Sequence, residues 1–259
     1  MRSFGRRLCA LTRPRQSAVR GGSARAPVVP LWEAAISVEE EAALVAQADG
    51  WLARRRYEPG HFDGVITQYR ELQQPLRRFS CGNQRVIERL LALALPAHTD
   101  VLPVHILDLL PEGEIGTHVD HQEYSGAHIV GLSLLSHAVM TLKREECGSR
   151  CELLLPRRSL YVLSGAARYE WAHEVAAQPV FEGVPMPAKQ RRLSLLFRDR
   201  AAAVKQEEAI EHRRDERKSE AQDANTDTGN DGNQAFNDAA NVYERPRPLM
   251  TRRDLTSEA

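Results

Sequence analysis

The spacing of apolar positions changes partway along the chain. In "SVEEEAALVAQADGWLARRRYE", Leu44, Ala48 and Trp51 recur at helical intervals, and Ser37 with Glu40 has the spacing of a capping box. "HFDGVITQYREL" shows no clear period, and we expect a loop there. A second helix is expected over "NQRVIERLLALAL", stopped by Pro96. From about residue 101 the texture becomes that of strands. "VHILDL", "HIVGLSLL", "AVMTLK", "CELLLP", "SLYVLSG", "YEWAHEV" and "RRLSLLFR" are short runs of β-branched, leucine and aromatic residues, separated by loops holding Gly, Pro and Ser. Such a series without intervening helices predicts a mainly β fold, a sandwich or barrel with N-terminal helices packed against it.

The two ends differ from this core. Residues 1–25 carry Arg2, Arg6, Arg7, Arg13, Arg15, Arg20 and Arg25 with several Ser and no acidic residue or lysine. That composition predicts a mitochondrial transit peptide over 1–27, with a basic RNA-binding arm as the alternative. Beyond residue 201, "KQEEAIEHRRDERKSEAQDANTDTGNDGNQ" has few large apolar residues, so it cannot bury enough surface to offset its ordering entropy. We expect a charged, disordered tail over 202–259, its part up to about 222 resembling a solvated helix. The folded domain is then 28–201, with a helical part at 33–100 and the β core at 101–201.

Composition narrows the class without deciding it. The 35 basic and 35 acidic residues cancel, which gives no global pull toward nucleic acid. No run approaches the length of a membrane span. Cys9, Cys81, Cys147 and Cys151 are scattered, and the C-x3-C pair lacks a second Cys/His pair close by, so reduced cysteines fit better than a zinc site.

Candidate chemistry begins at "THVDHQ". His118 and Asp120 lie two apart, on one face if the stretch is a strand. His173 follows in "RYEWAHEV", on another expected strand. Two imidazoles and a carboxylate can hold one face of an octahedral iron and leave three positions open, although catalytic zinc accepts the same set. His121 and His128 have no partner in register and read as structural. Arg192 and Arg198 in "RRLSLLFRDR" fall on one face of the last strand. Turned into a barrel, two guanidiniums require anionic partners, and a dicarboxylate supplies them.

H-x-D, a distant His and R-x5-R on the last core strand resemble the AlkB-type Fe(II)/2-oxoglutarate-dependent dioxygenases. The longer phrases "HILDLLPEGEIGTHVD", "SLYVLSGAARYEWAHEV" and "RRLSLLFRD" are most similar to the mitochondrial members of that family in animals, over about residues 32–200. The resemblance implies a double-stranded β-helix, or jelly roll, with Fe(II) on His118, Asp120 and His173. It also implies 2-oxoglutarate held by Arg192, with Tyr161, Ser194 and Arg198 in the same pocket. We expect the apolar lining of that pocket to come from Leu132, Leu134, Leu195 and Phe197.

Two departures from the family stand out. Leu107 and Leu109 occupy the places of an Asn-x-Tyr that touches the cosubstrate in nucleobase-repairing members. Gln122 replaces an acidic residue that pairs with the final arginine there, leaving Arg198 without that partner. Tyr57, Phe62 and Tyr69 are the aromatic residues available to a cover segment, with little basic–aromatic interleaving. The expectations are a monomer in the mitochondrial matrix that hydroxylates a protein side chain and does not act on double-stranded DNA. The resemblance links it to alkylation-induced programmed necrosis and fatty-acid metabolism. The alternatives are a demethylase of N-methylated RNA bases and a catalytically weak interaction module.

Overall fold

Helix α1 starts where its sequence dictates: Ser37 Oγ accepts from the Glu40 amide at 3.1 Å and the Glu40 carboxylate accepts from the Ser37 amide at 2.9 Å. The computed structural model describes residues 19–20 and 26–201. In chain order these form β1 (Val19–Arg20), β2 (Leu31–Trp32), α1 (Val38–Leu52), β3 (Glu58–Gly60), β4 (Ile66–Gln74), α2 (Cys81–Ala94), β5 (Val104–His118) and β6 (Ser125–Leu134). There follow β7 (Ala138–Arg144), β8 (Ser149–Leu155), β9 (Ser159–Ser164), α3 (Ala166–Tyr169), β10 (Ala172–Val175), β11 (Val180–Phe181), β12 (Val184–Pro185) and β13 (Arg192–Arg200). The expected targeting segment and charged tail lie outside the described residues, apart from Val19–Arg20 and residues 26–27.

The main sheet is antiparallel and runs β1-β8-β7-β10-β5-β13-β6-β9-β2, with β4 also paired to β5 and β3 to β4. Strand β5 joins two halves. Its first part, from Val104 to Leu109, pairs with β4 and β13, and its end, at Ile115 and His118, pairs with β10. The sheet curls about this strand into a jelly roll. Ile129, Tyr161 and Leu163 from one half pack on Met140, Leu142, Leu153 and Val175 from the other.

The outer face of the larger half carries the helices. Leu44, Ala48 and Leu52 of α1 and Val86, Ile87 and Leu90 of α2 pack against Val130, Leu132, Leu160, Leu193, Leu195 and Phe197. This corrects the expected pocket lining: Leu132, Leu134, Leu195 and Phe197 all belong to the cluster beneath the helices. Side chains alternate across a strand, so turning Arg192, Ser194 and Arg198 inward obliges Leu193, Leu195 and Phe197 to face out.

The stretch expected as a loop is also corrected. Residues 66–74 are a strand of the main sheet, paired with β5 along its length. Gln68 has φ +48°, and the register shifts between Thr67 and Tyr69. This bulge puts the buried positions at Ile66, Tyr69 and Leu72, a spacing that hides the strand's period of two. Strand β5 runs past the predicted "VHILDL" through Pro111 and Gly113. At Gly113 a side chain would collide with the Thr67 and Gln68 carbonyls of β4.

Candidate metal and cosubstrate site

The cross-strand pair His118–His173 sets the position of the site. The two residues are register partners where β5 meets β10, and their rings lie 4.3 Å apart. Asp120 sits just beyond the end of β5, so its place is set by the turn after the strand. Its Oδ2 lies 3.6 Å from His173 Nε2. One donor atom from each of His118, Asp120 and His173 falls within 4.8 Å of the others, and all three residues are buried.

Local hydrogen bonds and charges suit this set to a cation. Gly116 O accepts from His118 Nδ1 at 2.9 Å, which leaves Nε2 free to ligate. Burial, with His118 alongside, pushes the His173 imidazole down to about 3, so it stays neutral. Burial opposes the Asp120 charge, yet the Arg198 guanidinium beside it outweighs burial and holds the carboxyl well below its usual range. A neutral His173 and an ionised Asp120 are in the states a metal ion needs.

The triad opens on a pocket lined by Leu107, Ile115, Ile129, Met140, Leu163 and Val175. Arg192, Ser194 and Arg198 of β13 face into it with Tyr161 of β9. Arg192 is 1% exposed, and the groups it bonds to among the described residues are neutral: Nε donates to Ser133 Oγ at 3.2 Å, and the Tyr161 hydroxyl lies beside it. The buried Ser194 hydroxyl has no partner. A buried guanidinium that has no carboxylate partner among the described residues, with an unpartnered hydroxyl two residues along the strand, fits the distal carboxylate of a chelating keto acid. Leu107 lines the pocket and Leu109 packs in the core beside Tyr69.

Arg198 is not left unpartnered. Its Nη2 donates to Asp120 Oδ1 at 2.8 Å and its Nη1 to His105 Nδ1 at 3.1 Å. His105 Nε2 in turn donates to Glu71 Oε2 at 2.7 Å. The metal-side carboxylate takes the place of the acidic residue that Gln122 lacks.

The sequence profile of the 2OG-Fe(II) oxygenase superfamily matches residues 67–198, which span the whole site. The chain belongs to this superfamily. It is an oxidoreductase, a dioxygenase whose cofactors are Fe(II) and 2-oxoglutarate. Within the superfamily it is 39% identical over 193 residues to the mitochondrial alpha-ketoglutarate-dependent dioxygenase alkB homolog 7 of Mus musculus, covering 73% of this chain and 86% of the mouse protein. The Bos taurus protein of the same name is 39% identical over 196 residues, covering 72% of this chain and 87% of its own. Among solved structures, OsALKBH1 superposes with a TM-score of 0.50 at 14% identity, covering 68% of this chain and all of that one, which shows the fold.

Sequence reasoning missed several residues at the oxygenase site. Glu71 and His105 lie on strands and reach Arg198 through ordinary hydrogen bonds that no motif announces. Gly131 faces Tyr161 across β6 and β9, and a side chain there would overlap the phenol ring. Arg168 of α3 reaches the segment carrying Asp120. The glycine inside the β-rich run "HIVGLSLL" was the one signal available for any of these.

Of the aromatic residues considered for a cover, Tyr57 donates to Asp108 at 2.9 Å and stacks on Arg70, while Tyr69 is buried. Phe62, at 75% exposure, is the one of the three that faces solvent. Arg54, Arg55 and Arg56 of "LARRRYE" are exposed just past α1, as a solvated helix end requires.

Proposed function

We propose that this protein is a mitochondrial dioxygenase in which His118, Asp120 and His173 hold Fe(II), and Arg192, Ser194, Tyr161 and Arg198 hold 2-oxoglutarate. The observation that carries the reading is the pairing of two incomplete sets in one pocket. A buried two-His, one-Asp cluster stands at one end, and a buried guanidinium that among the described residues bonds only to neutral groups stands at the other. Iron with 2-oxoglutarate supplies an oxidant that puts one oxygen atom of O2 into succinate and the other into a substrate C–H bond. The chain's own residues do the rest. Arg192 and Tyr161 orient the distal carboxylate, Arg198 holds Asp120, and the apolar walls keep water from the reacting atoms.

The substrate we propose is a protein side chain. Tyr57 and Tyr69 are committed to an ion-pair network and to the core, which leaves a cover poor in the aromatic surfaces that sandwich an extruded base. The mitochondrial relatives support the location, and we place the protein in the matrix as a monomer. By the same resemblance we infer a role in alkylation-induced programmed necrosis and fatty-acid metabolism. The domain limits we propose are 1–27 for targeting, 28–201 for the oxygenase and 202–259 for the tail.

The test is a product ratio. The protein from residue 28 onward, given Fe(II), 2-oxoglutarate and a mitochondrial extract, is expected to form succinate above the no-extract background without matching formaldehyde. Formaldehyde near one per succinate, traced to the RNA fraction, replaces the protein substrate with an N-methylated base. No extract-dependent succinate overturns the proposed turnover.

A further inference from the structure

Arg168 is 2% exposed, yet the described residues give it no carboxylate partner within ion-pair distance. Its guanidinium is spent on backbone carbonyls. Nη1 donates to Asp120 O at 2.8 Å, and Nη2 donates to His121 O at 3.1 Å and Ser125 O at 3.3 Å. The Nε is buried without a partner. Two of these carbonyls, those of Asp120 and His121, belong to the turn between β5 and β6, and the third, that of Ser125, opens β6.

The turn also has other contacts: Glu123 N donates to His121 Nδ1 at 3.2 Å, and Arg198 Nη2 donates to the Asp120 carboxylate. Asp120 lies past the last ladder position of β5, and the hydrogen bonds tying the turn's other residues to backbone include Ser125 N to His121 O at 3.2 Å and Ala201 N to Tyr124 O at 3.4 Å. Burying a guanidinium is costly, and an apolar side chain of similar volume avoids the cost. A planar fork of donors can bind three diverging carbonyls at once, and no apolar residue can. Arg168 also belongs to the segment that leads directly into β10 and His173. It therefore ties the backbone of Asp120 to the element that carries His173, while Arg198 orients the Asp120 side chain from the opposite strand.

We propose that Arg168 is a positioning residue of the metal site: it sets the backbone of Asp120 so that the three ligands are preformed before metal arrives. The inference rests on reading His118, Asp120 and His173 as the iron ligands. A shift of about 1 Å in one ligand of a preorganised site is enough to lower affinity.

The experiment is a Co(II) titration of the full chain, followed by visible absorption, with urea unfolding of the metal-free proteins alongside. Arg168→Met is expected to bind Co(II) at least tenfold more weakly, with an altered d–d band. Arg168→Lys keeps a buried cation but offers a single point donor, and is expected to fold as the wild type does and to bind several-fold more weakly. A purely structural role predicts lower metal-free stability with unchanged affinity and spectrum in whichever variant folds, and that result overturns the inference. If Arg168→Met does not fold, Arg168→Lys decides on the same criterion. Wild-type protein that takes up no Co(II) overturns the ligand reading itself, and the inference with it. Wild-type uptake with wild-type affinity in a folded variant overturns the inference alone.

Discussion

Asp120 Oδ1 accepts from Arg198 Nη2 at 2.8 Å, while Asp120 Oδ2 faces His173. The last strand thus orients the carboxylate of the H-x-D motif, leaving one oxygen for a cation. Behind Arg198 stand His105 and then Glu71, each one hydrogen bond further away.

The effects of breaking this chain should fall with distance. Arg198→Met removes the bond that orients Asp120, a loss that outweighs the relief of taking a positive charge away from the cation, and is expected to cost at least tenfold in Mn(II) affinity. His105→Phe should cost less and Glu71→Gln least, because they act on Asp120 only through Arg198. Fluorescence titration of Mn(II) gives the order. A Glu71→Gln variant as impaired as Arg198→Met breaks the proposed direction of support.

On the outer face, Asp108 is fully buried and accepts from Arg70 Nε, Arg191 Nε and Arg191 Nη2 at 2.8 Å each, and from the Tyr57 hydroxyl at 2.9 Å. Asp108→Ala takes from Arg70 its carboxylate and from Tyr57 its acceptor, while Arg191 keeps its pair with Asp49, and removing the buried partner of such a set costs about 3–5 kcal/mol. Urea unfolding is expected to show a loss in that range, whereas loss of the exposed Arg89–Glu40 pair by Arg89→Ala should stay below about 1 kcal/mol. Equal losses in the two variants refute a special role for the Asp108 cluster.

How legible the sequence was depended on whether each signal was local. Helix α1 was readable because Ser37 and Glu40 cap it three residues apart. The triad was readable because H-x-D, a distant His and R-x5-R together resemble a family pattern, and the fold brings its three donors within 4.8 Å. Strand β4 was not, because the bulge at Gln68 gives its buried residues a spacing of three. The inward turn of Arg192 and Arg198 was read correctly. The same alternation sends Leu195 and Phe197 outward, under the helices, which is why they do not line the pocket. Arg168 left no pattern at all, since its partners are backbone carbonyls common to every residue type.

Lys189 supplies a pH dependence. It is 1% exposed, donates to Leu110 O at 2.8 Å, and burial with Arg192 nearby pushes its ammonium down to about 8. The folded value lies below the unfolded one, so between about pH 8 and 10.5 the unfolded chain holds a proton that the folded chain has shed. This group therefore makes stability rise with pH across that window. Other groups titrate there too, so the observable is the difference between wild type and Lys189→Met. Wild type should gain on the variant from pH 8 to pH 10 in urea midpoints, and parallel curves count against a buried, shifted lysine.

Gly131 and Tyr161 face each other across β6 and β9, and the ring of Tyr161 occupies the space that a side chain at 131 would fill. The glycine is needed here for close approach, with no special backbone angle involved. Gly131→Ala forces the phenol to move, and crowding of this kind costs about 1–3 kcal/mol in stability. The hydroxyl beside Arg192 moves with it, so 2-oxoglutarate affinity is expected to fall at least as far as in Tyr161→Phe, which removes the hydroxyl alone. A hydrogen bond to a charged group is worth about 1.5–3 kcal/mol, which sets the expected loss for Tyr161→Phe at tenfold or more. The double variant Gly131→Ala/Tyr161→Ala separates the two effects. Deleting the ring relieves the overlap, so the added alanine should cost much less stability than it does beside the intact tyrosine, while cosubstrate affinity stays low. Calorimetric titration of 2-oxoglutarate with thermal melts on five proteins, wild type, Gly131→Ala, Tyr161→Phe, Tyr161→Ala and the double variant, makes the comparison. Unchanged affinity in Gly131→Ala removes Tyr161 from the cosubstrate site.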